Sequence, residues 1–212
     1  MDTVKVYNVT ELKEQFPDGF NYAMQKWVDS VSSEPLFCQD EIMDSLKACY
    51  KQAGITLNDW SISDSSQSWV KITIPTYWSE VLLDDCLVDD YTGKKALAWV
   101  KDVYDLKTVK RVNFTYVNDN GRKVKSFRYD ITKKDGTSWD CGFTGICYDH
   151  DFIDSLLDDI KSGCTLFEAY NNLADKAGKL FYDEYMSQCE ESYFLDHAEA
   201  NEYQFLPNGR MI

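Results

Sequence analysis

Carboxylates are the residues of this chain whose types and spacing could do chemistry. Asp84, Asp85, Asp89 and Asp90 form one group, and Asp151, Asp154, Asp158 and Asp159 form another. Helical spacing puts Asp151, Asp154 and Asp158 on one face, with Phe152, Leu156 and Ile160 turned the other way. Such a row has three readings. It is a solvated polar face, a divalent-metal site for hydrolysis, or a surface for a basic protein. The Asp-x-[Asp/Asn]-x-[Asp/Asn]-Gly calcium loop is absent from the sequence. Carboxylates three or four apart recur roughly every 5 Å along a helix, close enough to a phosphate repeat to fill Arg and Lys sites.

Other chemistry finds less material. Cys141, Cys147 and His150, with Asp149 nearby, fit none of the usual zinc spacings. The only histidines are His150 and His197, and no Gly-x-Ser-x-Gly elbow accompanies them. No Gly-x-x-x-x-Gly-Lys or Gly-x-Gly-x-x-Gly loop offers a phosphate cradle. The sequence therefore nominates no catalytic residue, no cofactor and no resident metal.

Charge gives the direction. The net charge is −14, from 36 Asp and Glu against 22 Lys and Arg. It is −8 over residues 1–100, +4 over 101–140 and −10 over 141–212. That field repels nucleic acid and anionic membranes and draws in basic protein surfaces. The basic stretch carries Lys110, Arg111, Arg122, Lys123, Lys125, Arg128, Lys133 and Lys134, interleaved with Phe114, Tyr116, Phe127 and Tyr129. It reads as the polar face of a sheet, as a stacking surface for single-stranded nucleic acid, or as a dock for the acidic part of a second copy.

These residues need elements to position them. Thr10 is placed to cap a turn over 11–16 that Pro17 ends. Phe20 to Val31, Asp40 to Ala53, Tyr77 to Val88, Lys94 to Leu106, Asp151 to Lys161 and Thr165 to Cys189 carry helical periods, with Gly54 and Gly163 as stops. Strands are expected at 55–62 and 69–74 around a serine-rich turn. A three-stranded meander is expected over 109–148, turning at Asn120-Gly121 and Asp135-Gly136, with Ser138 to Tyr148 as its third strand. A small hairpin around Pro207-Asn208-Gly209 closes the chain. The fold class expected is α+β, amphipathic helices on an antiparallel sheet, as a single compact domain over 1–212. Seven unevenly spaced cysteines and no apolar membrane-length run point to a cytoplasmic protein.

The opening Val6-Tyr7-Asn8-Val9-Thr10-Glu11-Leu12 and the closing Glu199-Ala200-Asn201-Glu202-Tyr203-Gln204-Phe205 with Asn208-Gly209 resemble a loose group of uncharacterised acidic phage and prophage proteins. Where that group carries a Gly-rich turn, this chain has Ser65-Ser66-Gln67-Ser68. The resemblance implies an origin on a bacterial mobile element. Together with the charge it sets the expectation of a non-enzymatic inhibitor of a host defence nucleoprotein, of the anti-CRISPR or anti-restriction kind. Its partner would be a basic protein surface, with no direct nucleic acid and no membrane, and the protein would be a monomer or homodimer. The alternatives are an antitoxin-like regulatory module and a metal-dependent hydrolase built on the aspartates.

Overall fold

The computed structural model describes residues 5–33, 39–61, 69–73, 82–83, 86–118 and 121–212. It mixes helix and antiparallel strand. No described helix is long and apolar enough to cross a membrane. The chain's contacts divide it into two compact units. The first takes the described residues of Met1–Gln39 and Lys179–Ile212, and the second those of Asp40–Ile62 and Trp69–Gly178.

The first unit is built from α1 (Val9–Gln15), α2 (Pro17–Ser33) and α7 (Glu191–Ala200). Asn8, not Thr10, caps α1. Its side chain accepts the Glu11 N–H at 2.8 Å, and the Glu11 carboxylate accepts the Asn8 N–H at 3.2 Å. This reciprocal box satisfies two donors that a helix start leaves open. The Thr10 hydroxyl donates to Glu199 instead, at 2.6 Å. Pro17 does not merely end a helix; it opens α2, where its missing N–H would have had no partner anyway. Val9, Leu12, Phe20, Ala23, Phe194, Ala198 and Phe205 form the core of this unit. The closing hairpin is present: Phe205 bridges both Tyr7 and Met211, and the Leu206 N–H donates to the Arg210 carbonyl at 2.9 Å. Gly209 (φ +81°) lies so close to Gly19 that a Cβ on either would overlap the other strand of backbone.

The second unit holds α3 (Gln39–Gln52), α4 (Gly93–Val103), α5 (Tyr148–Ser162) and the first part of α6 (Leu166–Gln188). Buried hydroxyls tie these helices together. Tyr50 donates to the Tyr170 carbonyl at 2.8 Å, and Tyr104 donates to the Cys49 carbonyl at 3.0 Å. β1 (Thr56–Ser61) pairs with β2 (Trp69–Thr73), as expected; the serine-rich turn between them lies outside the described residues.

The helix expected over 77–88 is not formed in its described part. β3 (Leu82–Leu83) pairs with β4 (Cys86–Leu87), and a single 3-10 turn follows at Val88–Asp90. A short apolar run carries no period that separates helix from strand.

The meander is a two-stranded hairpin. β5 (Leu106–Val117) and β6 (Lys123–Lys133) pair along their full length, from Leu106↔Lys133 to Val117↔Lys123. The Asn118 N–H donates to the Arg122 carbonyl at 2.9 Å, so the connection spans three residues rather than two. The expected third strand reaches only one bridge, Thr132↔Ser138, and the Trp139 N–H bond to Ile131. The backbone then leaves the sheet at Cys141 (φ +45°) and turns at Gly145 (φ +88°). Asp149 is the physical cause. Its fully buried carboxylate accepts the N–H groups of Phe143, Thr144 and Gly145 and the Thr144 hydroxyl, at 2.7–3.2 Å. Bonds that a strand would have sent sideways are gathered onto one side chain.

Candidate functional site

α5 keeps the two faces its sequence promises. Phe152, Ile153, Leu156, Leu157 and Ile160 are buried, and Gly163 (φ +102°) ends the helix. The opposite face brings Asp151, Asp154, Asp158 and Asp159 to one groove of about 510 Å³, bordered by Phe127 of β6 and Lys176 of α6. Its lining holds four carboxylates against one lysine, so it is negative.

Each carboxylate has a neighbour from its own chain. Asp151 pairs with Lys176 at 3.2 Å. Asp158 accepts the Tyr129 hydroxyl at 3.2 Å and lies 3.7 Å from Arg111. Asp159 accepts the Asn172 amide at 3.1 Å. Among the described residues Asp154 accepts only the Tyr129 N–H, at 3.4 Å, and its buried Oδ1 has no partner there. Burial pushes the Asp154 carboxyl up to about 6, partly opposed by that N–H. Burial, then the charge of Asp158, pushes the Tyr129 phenol up to about 12. The Arg111 guanidinium sits 3.9 Å from the Phe127 ring centre, and the Lys161 ammonium 4.0 Å from that of Tyr129. Burial, then the Arg111 charge, holds Lys161 below the usual lysine range.

Asp84 and Asp85 lie outside the described residues, as does the side chain of Asp89; Asp90 is exposed at the end of the 3-10 turn. Asp149 belongs to the loop it organises, so the Cys141, Cys147 and His150 constellation loses its carboxylate. Among the described residues no three His, Cys, Asp or Glu side chains converge as metal ligands.

Sequence reasoning missed the neighbours of the row. Lys176 and Asn172 stand on α6, and Arg111 and Tyr129 on β5 and β6. Helical spacing within α5 carries no signal for any of them. Arg111, one of the basic residues read as a surface, meets an aspartate of its own chain. Other members of that stretch stay outward: Phe114 and Tyr116 are exposed. Comparison with protein-family models, with curated proteins and with solved structures finds no match.

Proposed function

We propose that this protein is a non-enzymatic binding protein, encoded by a mobile element, that occupies a basic, nucleic-acid-binding surface of a host defence effector. The row of carboxylates on α5 carries this reading. A mimic of phosphates needs negative groups held in fixed positions, and each of the four is met by a hydrogen bond or ion pair from a neighbouring element. The remaining lone pairs are available to incoming donors.

The geometry also changes the form of the contact. The row lines a groove rather than standing proud of the surface. A partner therefore reaches it with long basic side chains, Arg or Lys, rather than receiving α5 into a channel. Entering guanidinium groups compete with Lys176 and Arg111 for the same carboxylates, so association is steered by the chain's overall −14 charge and weakens as salt rises.

The test is capture of a bacterial nuclease effector by the full chain, followed by its cleavage assay with and without the protein. Inhibition that falls when Asp151, Asp158 and Asp159 are changed together to Lys, with helix content unchanged by circular dichroism, supports the reading. Inhibition untouched by the triple reversal refutes the groove as the contact.

A further inference from the structure

The first unit contains a second concavity with a different chemistry. It has a volume of about 640 Å³ and is walled by α2, α7 and the closing hairpin. That size falls within the range of small-molecule sites. Its floor is aromatic. Trp27 lies 4.7 Å from His197 and 6.2 Å from Tyr193, ring centre to ring centre, and the Tyr193 and His197 rings are parallel to within 11°.

Three polar groups distinguish it from an ordinary seam. Gln188 lines the pocket with only 8% of its surface exposed, and its side-chain amide has no hydrogen-bond partner among the described residues. A primary amide that lines a cavity without a partner from its own chain offers both a donor and an acceptor to a ligand there. Arg210 is exposed at the rim and pairs with no carboxylate among the described residues. Lys26 of α2 also lines the pocket, its ammonium shared with Asp29 at 3.1 Å. The charge sorting is marked. The described residues of this unit include 11 Asp and Glu and 5 Lys and Arg, yet the lining holds two cations and no carboxylate.

We propose that this pocket binds a nucleotide. The base lies against the Trp27, His197 and Tyr193 faces, the Gln188 amide reads its polar edge, and the phosphate meets Arg210 and Lys26. Stacking on aromatic faces, a donor–acceptor pair for a heteroaromatic edge and a guanidinium for phosphate are the three contacts such a ligand needs. None of the α5 groove residues takes part, so this site stands or falls independently of the proposed inhibitor role.

The experiment is calorimetric titration of the full chain with AMP, GMP, CMP and UMP, each beside its nucleoside, and with inorganic phosphate. Saturable binding of at least one nucleotide is expected, with its nucleoside weaker. Arg210→Ala, at an exposed site, is expected to weaken the nucleotide about tenfold and leave the nucleoside nearly unchanged. Gln188→Met keeps the volume and removes the edge contacts; it is expected to flatten the preference among bases. Absence of saturation for all four nucleotides overturns the proposal. So does a nucleoside that binds as tightly as its nucleotide, or nucleotide binding that survives both substitutions.

Discussion

The α5 groove and the first unit's aromatic pocket make opposite use of polar side chains. In the groove, carboxylates are plentiful and the chain itself has supplied Lys176, Arg111, Tyr129 and Asn172 to meet them. In the pocket, polar groups are few, but the Gln188 amide and Arg210 are left without a partner among the described residues. Sequence reveals how many reactive groups there are. Only the folded arrangement reveals which are already committed. An abundant run of charge therefore overstates a site, and a scattered set of aromatics understates one.

The sharpest way to break the groove side of this contrast is to remove the carboxylate that shapes its frame. Asp149→Ala leaves three backbone N–H groups and the Thr144 hydroxyl without their acceptor. The expected loss is on the order of 3–5 kcal/mol. Urea denaturation measures it, and hydrogen exchange should rise first at residues 143–145. A loss below about 1 kcal/mol, the scale of one ordinary hydrogen bond, would show that water replaces the carboxylate and that the loop stands without it.

On the pocket side, Gly209→Ala tests whether the closing hairpin must touch α2. The residue sits at φ +81°, and its new Cβ would meet the Gly19 carbonyl. Left-handed strain and overpacking together predict a loss of about 2–4 kcal/mol. Nucleotide binding should fall with it, because Arg210 follows directly. Gly136→Ala is the control, since its φ of +92° is similar and a Cβ there meets nothing within 4 Å. It should show the left-handed strain alone.

The contrast also explains what the sequence could reveal. The inner face of α5, the α3 stripe, the pairing of β5 with β6 and the closing hairpin rest on local periods and turn residues, and all were legible. The third strand was not. Alternation from Trp139 to Cys147 is real in the sequence, but Asp149 draws the intervening N–H groups away, and an interaction across four to six positions has no period. α7 was missed because Phe194 and Ala198 are its only buried residues, a stripe too short to stand out among Glu190, Glu191, Asp196 and Glu199. The aspartate row was read correctly as one face of one helix. Its neighbours lay on other elements and could not be read at all.

Asp154 sharpens the groove comparison through pH. Its folded form keeps a proton up to about 6, whereas the unfolded chain releases it near 3.8. The folded state therefore binds more protons between those values, and this group's effect is to lower stability as pH rises from 4 to 6. For a side chain only partly withdrawn from water the expected change is about 1 kcal/mol after solvent screening. Asp154→Asn should remove that component of the slope, whatever it does to stability at a single pH. Paired urea curves at pH 4.5 and 7 give the difference. An unchanged slope would mean that the Tyr129 N–H holds the carboxylate ionised at ordinary pH.

The smallest effect is the most discriminating for the groove's role. Asp151 and Lys176 pair at 3.2 Å with their side chains 39% and 29% exposed. A pair in that setting contributes about 0.2–1 kcal/mol to stability, so a double-mutant cycle of Asp151→Asn and Lys176→Met should find little coupling. The consequence for binding is opposite in sign. Lys176→Met frees the Asp151 carboxylate and makes the groove more negative, which should speed association with a basic partner at low salt and leave fold stability nearly untouched. Stronger inhibition by Lys176→Met would show that the internal lysine and the partner's cations compete for one carboxylate. Weaker inhibition would mean that the partner contacts Lys176 itself, and the groove would then not be a site for cations.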